Sequence, residues 1–373
     1  MKFISAIFIS LFLFASGATA ADRSFGDSIT QGVGASPATN GWAFLLWPAL
    51  GSSGSTNYGV SNTMVADMAT TTYPISVAAG DRSTIMIGTN DSRILLADPV
   101  KRGFYKLGLK EQIAWLALPT KQLPAAATLT GSWGATAAYG GFGKVSSTAG
   151  SKATFSGVQG DTIFVSMLYQ SVSGTFDIKI DGATVYSGST YAAGITTPGS
   201  KTYGPMLFQF PVAAGSHAVD VVVTGGSYVY LQWVAGNTQP SNPAVFVSNI
   251  IRASNYTYGG SDAIVADYNL NAVTPAVSEL AAVGLNVTQV NSHDAINNTT
   301  DMGSDYHPVN AGHAKIKDAF VAAMSGPPPP PPTYVFEAAN TFRRKTTGTL
   351  DGTFWIDGGS GCPGAACKQI TTQ

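Results

Sequence analysis

Phe25-Gly26-Asp27-Ser28-Ile29-Thr30-Gln31-Gly32 is the stretch on which the fold turns. A serine preceded by Gly-Asp at the end of a very short apolar run reads as a strand breaking into a helix. A side chain at that corner points into the crevice at the carboxyl end of a sheet, where open α/β sheets bind ligands. Glycine there permits an unusual backbone angle and close approach of a substrate. The same residues also suit a plain Ser-capped helix start, and only residues further along the chain can decide between the two.

Beyond this corner, residues 41–50 read as a short amphipathic helix stopped by Pro48 and Gly51. Asn57 to Asn62 forms a strand end or loop leading into a helical stretch from Thr63. Residues 83–87 are a short apolar strand that runs out into Gly88-Thr89-Asn90-Asp91, bringing a side-chain amide to the edge that carries Ser28. Apolar positions recur at helical spacing over 104–118 until Pro119. Gly32-Val33-Gly34 lacks the third glycine and the acidic partner of a dinucleotide fingerprint.

Near Lys121 the character changes. Residues 122–240 alternate polar and apolar in short runs punctuated by Gly, Ser and Thr. The predicted strands are 153–155, 162–168, 175–180, 207–210, 217–223 and 228–233, with Asp181-Gly182 as a hairpin turn. Short strands without a helical signal predict an antiparallel sandwich or jelly roll inserted into the first domain. Its two junctions should then lie close together, leaving it separable from its host. Helix–strand alternation resumes at 241–325: a strand over 244–251, a helical run over 261–283 broken by Pro275, a last strand at 285–290, and a closing helix over 311–324. A stiff linker at 326–333 contains six prolines and precedes a small segment, 334–373, that holds both cysteines, Cys362 and Cys367.

Charged residues make up 11% of the 373, against about a quarter in an average chain. With a net charge of −1 there is no basic surface for nucleic acid, and none is expected as a partner. Residues 1–20 have a lysine, an apolar run and Ala18-Thr19-Ala20, the pattern of a cleaved secretory leader. No later stretch is long and apolar enough to span a membrane, so the expected location is extracellular or periplasmic.

Four elements stand in order: Gly26-Asp27-Ser28-Ile29-Thr30, Asn57 to Asn62, Gly88-Thr89-Asn90-Asp91, and Asp305-Tyr306-His307-Pro308. In this order they resemble the SGNH (GDSL) hydrolase family of esterases, lipases and carbohydrate deacetylases, over roughly half the chain. The resemblance implies a three-layer α/β/α sandwich of flavodoxin-like type on a parallel sheet, interrupted here by the antiparallel β-sandwich. It implies Ser28 as nucleophile and His307 as general base. The Asn90 amide and the backbone N–H groups of Ser28 and residue 62 would be the donors to the oxyanion. No metal or cofactor is implied.

The chain departs from the family pattern twice. Asn62 stands where the family has glycine, though asparagine tolerates the left-handed region. Ser304 stands where the family has its orienting aspartate, three residues before the histidine. Asp305 could orient His307 from an altered loop, Asp301 is the more distant carboxylate, or the site could work as a Ser-His dyad. Of the other histidines, His293 reads as a loop residue, and His217 and His313 as structural.

The insert carries Trp133, Tyr139, Tyr169, Tyr186, Tyr191, Tyr203, Tyr228, Tyr230 and Trp233. Such rings either stack on sugars or fill the sandwich, and Tyr169 and Trp233, within apolar runs, read as core. The expected activity is hydrolysis of short acyl esters, acetyl above all, on a polysaccharide or a small ester. A lipase or arylesterase with the insert as lid or surface-binding module, and a carbohydrate-binding or adhesive protein without activity, are the alternatives.

Overall fold

The computed structural model describes residues 20–172, 174–192, 203–256 and 259–326, and the backbone of three short strands beyond them. The expected leader (Ala20 apart), the prolines Pro327 to Pro332, Cys362 and Cys367 lie outside the described residues.

In chain order, β1 (Asp22–Gly26) leads through the single-turn α1 (Ser28–Gln31) and α2 (Trp42–Ala49) to β2 (Ser55–Gly59). Next come α3 (Val65–Thr72), β3 (Arg82–Met86), α4 (Thr89–Leu95) and α5 (Pro99–Ala117). The strands β4 (Thr128–Thr130), β5 (Gly134–Ala135), β6 (Lys144–Ser146), β7 (Lys152–Gln170), β8 (Gly174–Ile180), β9 (Ala183–Ser189), β10 (Tyr203–Gly226) and β11 (Val229–Gly236) come after it without a long helix. The chain then returns through β12 (Ala244–Ser248), α6 (Asp262–Tyr268), α7 (Thr274–Ala281), β13 (Val287–Val290) and α8 (Asn310–Ser325).

Five strands form one parallel sheet in the order β2-β1-β3-β12-β13. The chain winds outward from β1 to β2, then crosses back to β3 and continues the other way. The direction therefore switches between β1 and β3, and in an open α/β sheet the ligand crevice lies at that switch, beyond the carboxyl ends. Ser28 follows β1 and Asn90 follows β3, so both motifs sit there.

Both faces of the sheet are covered, which is why its strands β1 and β3 are almost continuously buried, whereas the edge strand β2 is not. Phe25, Ile85, Val245 and Val247 pack with Val65 and Met68 of α3, Leu109 and Ile113 of α5, and Leu280 of α7. On the opposite face, Met86 and Val290 meet Trp42, Leu46 and Trp47 of α2 and Ile316 and Phe320 of α8. The Trp42 and Phe320 rings stack at 4.6 Å.

Several element boundaries differ from the sequence reading. Pro48 lies inside the last turn of α2, where a missing N–H costs little more than one bond. Helix α5 starts at Pro99, ahead of its apolar stripe, because Asp98 caps it by accepting from Val100 N–H and Lys101 N–H at 2.9 and 3.1 Å. Pro275 does not break its helix. A π turn, Asn269–Val273, takes up the mismatch just before it.

The region expected as a two-sheet sandwich is one continuous antiparallel sheet, in the order β5-β6-β11-β7-β10-β8-β9 with β4 also on β7. The predicted strands 153–155 and 162–168 are parts of the 19-residue β7, and 207–210 and 217–223 are parts of the 24-residue β10. These two strands pair along nearly their whole length, through register shifts at Pro211/Gly215 and His217/Val219. Bulges of this kind bend a strand. Phe155, Phe176 and Val221 from one part of the sheet share a core with Val165, Met167 and Leu231 from the other. Asp181 and Gly182 both take positive φ, 50° and 83°, which a two-residue hairpin turn needs.

The ends of this region meet: Gln122 and Val234 exchange backbone hydrogen bonds of 2.8 and 3.0 Å. The sheet is nevertheless no free-standing appendage. Phe164, Leu168, Leu207 and Trp233 belong to the same core as α5. Glu111 of α5, fully buried, accepts from Trp233 Nε1 (2.7 Å), Ser166 Oγ (3.1 Å) and Gln112 Nε2 (2.7 Å). Burial pushes the Glu111 carboxyl up to about 7, against those hydrogen bonds. Among the described residues, no helix is long and apolar enough to cross a membrane.

Candidate functional site

Ser28 is held at its corner by its neighbours. Asp27 caps α1, its Oδ1 accepting from Ile29 N–H at 3.0 Å, and the turn closes at Gly32 with φ 98°. Gly26 lies so close to β3 that a Cβ there would run into the Met86 carbonyl oxygen. Asn57 ties the turn to β2: its Nδ2 donates to Thr30 O and its Oδ1 accepts from Gly59 N–H, both at 2.8 Å. The remaining Asp27 oxygen is buried without a hydrogen-bond partner among the described residues, and burial pushes this carboxyl up to about 7.

His307 comes from the loop between β13 and α8, 279 residues after Ser28. That loop doubles back on itself: Gly303 N–H donates to His307 O at 2.8 Å and Val309 N–H to Asp301 O at 2.9 Å. His307 Nε2 lies 2.9 Å from Ser28 Oγ, and Nδ1 lies 3.1 Å from each carboxylate oxygen of Asp305. Asp305 Oδ1 also accepts from the His307 backbone N–H at 2.9 Å, so one carboxylate fixes both ring and backbone. An ionised carboxylate can only accept. Nδ1 therefore carries the proton, and Nε2 is free to accept from the Ser28 hydroxyl.

Asp301 and the other three histidines have their own partners away from Ser28. Asp301 is engaged elsewhere, with Lys315 Nζ at 2.7 Å and Asn297 N–H at 2.6 Å. His293 pairs with Asp294 at 2.8 Å, and His217 with Asp181 at 2.7 Å. Fully buried His313 accepts from Trp42 N–H at Nδ1 (3.3 Å) and lies 3.1 Å from Val33 O through Nε2. Burial depresses its pKa, as suits a neutral ring holding two loops together.

Facing Ser28 are two asparagines. Asn90 Nδ2 donates one hydrogen to Thr63 O at 2.9 Å, which leaves its second. Asn62 takes the left-handed conformation, φ 63°. The backbone N–H of Ser28, first in its helix, has no intrahelical partner. Arg93, which the sequence reading passed over, bonds Asn90 Oδ1 through Nε (3.2 Å) and a terminal nitrogen (2.9 Å), and Asn62 Oδ1 at 3.2 Å. The available signal was its place on α4 three residues after Asn90, which puts both side chains on one helix face.

These residues line an open cleft of about 320 Å³, with Val33, Ser61, Thr89 and Tyr306 completing the wall. A hydroxyl beside an oriented imidazole, opposite several N–H donors, is an arrangement for nucleophilic acyl transfer. Of the aromatic residues on the large antiparallel sheet, Tyr139, Tyr169 and Trp233 are buried, whereas Tyr191 and Tyr228 are about half exposed.

No family model matches the chain, and no curated protein matches it. Among solved structures it is similar to a member of the lipolytic protein G-D-S-L family from Veillonella parvula DSM 2008, at 11% identity over 82% of this chain and 98% of that one, with a TM-score of 0.40. It is also similar to a two-domain esterase active on acetylated mannans, at 14% identity over 60% and 92% of the two chains, TM-score 0.35. A third likeness is to the carbohydrate-binding module CBM36 solved with calcium and xylotriose, at 17% identity over 31% of this chain and 97% of that one, TM-score 0.25.

Proposed function

We propose that this chain is a secreted serine esterase of the SGNH type that removes short acyl groups, most often acetyl, from a polysaccharide. The observation that carries the reading is the hydrogen-bond chain Asp305–His307–Ser28 at the switch point of the parallel sheet, facing Asn62 and Asn90.

In the proposed reaction, Ser28 Oγ attacks the ester carbonyl carbon while His307 Nε2 takes its proton. The C=O bond opens to a tetrahedral oxyanion, which faces the Ser28 N–H, the Asn62 N–H and the free hydrogen of Asn90 Nδ2. Each such donor lowers the barrier by on the order of 3 kcal/mol. Collapse expels the sugar hydroxyl, which leaves with the proton from His307, and Ser28 holds the acyl group. Water, deprotonated by His307, then releases the acid and restores the serine. Asp305 keeps the proton on Nδ1 throughout and stabilises the imidazolium.

Val33, Thr89 and Tyr306 line the cleft beside Ser28. The leader-like N-terminus supports secretion. The half-exposed Tyr191 and Tyr228 offer ring faces for a sugar chain.

The test is labelling with a fluorophosphonate, mapping of the adduct, and turnover of p-nitrophenyl esters of increasing length beside acetylated polysaccharides. The expected result is an adduct at Ser28, best turnover on acetyl, and no turnover by Ser28→Ala. A folded protein with no adduct would instead be a binding protein. A preference for long chains would move the reading to a lipase.

A further inference from the structure

We propose that Arg93 is a positioning residue that sets both asparagine donors of the cleft through one planar cation, and that Asn62 replaces glycine because Arg93 needs its side-chain oxygen. The proposal rests on the esterase reading above and adds a residue and a reason for the departure at position 62.

The geometry has three parts. Arg93 spends Nε and one terminal nitrogen on Asn90 Oδ1 and the same terminal nitrogen on Asn62 Oδ1. With Oδ1 held by the cation, the Asn90 amide has only one orientation: Nδ2 lies between Thr63 O and the cleft. A positive charge on the carbonyl side of an amide also draws electrons from its N–H and makes it a stronger donor.

The second part concerns Asn62. Its φ of 63° is a conformation that costs most side chains roughly 1–2 kcal/mol, and glycine nothing. Glycine would adopt it freely but would also leave it freely, having no side chain to anchor. Asparagine enters the region at modest cost and offers Oδ1, which Arg93 grips at 3.2 Å. The backbone N–H of residue 62 is then fixed by the same cation that fixes Asn90.

The third part is the cation itself. Among the described residues no carboxylate forms an ion pair with the half-buried Arg93, whose hydrogen bonds go to the two amide oxygens. Its guanidinium lies 5.7 Å from the centroid of the Tyr306 ring, between Asp305 and His307 in sequence, an attraction that holds the charge at the cleft wall. Two amide oxygens and a ring face fix its position at the cleft wall, where its charge also acts on the Asp27 carboxyl, whose pKa burial raises and Arg93 lowers. A planar fork can bridge two acceptors, and a lysine ammonium lacks that fixed geometry.

The experiment is steady-state turnover of p-nitrophenyl acetate, a neutral ester, by Arg93→Gln, Arg93→Lys, Asn90→Ala and Arg93→Gln/Asn90→Ala, with melting temperature and Ser28 labelling measured for each. Arg93→Gln is expected to lower kcat about 10- to 100-fold with KM within about twofold. Arg93→Lys, which keeps the charge and the stem, is expected to fall between Arg93→Gln and wild type. On the Asn90→Ala background, where only the Asn62 contact remains, Arg93→Gln should still lower kcat but by less than it does in the wild-type background, because residues acting as a unit are not additive. Unchanged kcat in Arg93→Gln, wild-type kcat in Arg93→Lys, or a full additive loss on the Asn90→Ala background would each overturn the proposal. A raised KM at unchanged kcat would also overturn it, making Arg93 a substrate contact instead. Failure of wild-type protein to label at Ser28 sinks the esterase reading itself, whereas labelling with a normal Arg93→Gln sinks only the role of Arg93.

Discussion

Replacing Asp305 by asparagine changes one atom and inverts the logic of the site. In the native arrangement Asp305 Oδ1 accepts from the His307 backbone N–H at 2.9 Å, and both carboxylate oxygens lie 3.1 Å from Nδ1. An asparagine would keep its oxygen on the backbone N–H, because that donor cannot turn away. Its NH₂ group would then take the place of Oδ2, 3.1 Å from Nδ1, and a donor there repels an Nδ1–H even though Oδ1 stays in reach. The ring resolves this by moving its proton to Nε2, leaving Nδ1 to accept. An Nε2–H cannot take the Ser28 proton across the 2.9 Å contact. The protein stays folded, and the base is held in the wrong tautomer. Loss of the correct tautomer in a serine triad costs about 10⁴ in kcat, or about 5 kcal/mol of barrier. The assay is turnover of p-nitrophenyl acetate between pH 6 and 9, normalised to folded protein by circular dichroism. Asp301→Asn serves as the control: its carboxylate holds Lys315 and Asn297, so it should lower the melting temperature and leave kcat near wild type. A kcat for Asp305→Asn within tenfold of wild type would refute the reasoning and leave a Ser-His dyad.

Gly34→Ala tests how His307 is held. Gly34 has φ 93°, and a Cβ there would strike the Pro308 carbonyl and lie 3.0 Å from His307 Cβ, so the histidine loop must move. A shift of about 1 Å at a catalytic group costs roughly 10²-fold, and kcat is expected to fall by that much along with the melting temperature; a fall in melting temperature alone would show that the loop is placed by other contacts. Glu111→Gln tests the seam between α5 and the antiparallel sheet through pH. Burial raises the folded-state pKa of Glu111 from 4.5 to about 7, so the folded protein keeps a proton that the unfolded chain releases. This group's stability contribution therefore falls as pH rises through that window, by on the order of 3 kcal/mol at about 1.36 kcal/mol per pH unit. Glutamine keeps the oxygen that Trp233 and Ser166 donate to and cannot ionise. Urea denaturation at pH 4.5 and 7.5 should show the variant gaining on wild type at the higher pH, and a difference independent of pH would contradict the assignment.

The residues that meet in the cleft, and the order of the motifs that carry them, were readable from the chain alone. Ser28, Asn90 and His307 were legible because each sits in a short motif of fixed chemistry at a strand end, where local rules apply: a Gly-Asp-Ser corner, a strand running out into Gly-Thr-Asn-Asp, and a His-Pro before a helix. The alternation of apolar strands with helical periods showed α/β character for the same reason, since backbone period is a local property, and the parallel sheet was what the family resemblance implied. Three things waited for the folded arrangement. The carboxylate that meets His307 could not be chosen by spacing, because the loop folds back through Gly303 and Val309 and brings Asp305, two residues away, against the ring. For Arg93 the chain gave only its spacing from Asn90 on α4; its bond to Asn62, on the loop after β2, forms only when the strands are in place. The antiparallel region read as many short strands because polar and small residues interrupt its pattern. In space β7 and β10 carry on through those interruptions, bent by bulges, and their far face rests on Trp115 and Glu111 of α5. Whether a break in the pattern ends a strand or bends it depends on what packs against it, and packing partners more than 50 residues away, such as Ser166 on Glu111, leave no mark in the local sequence.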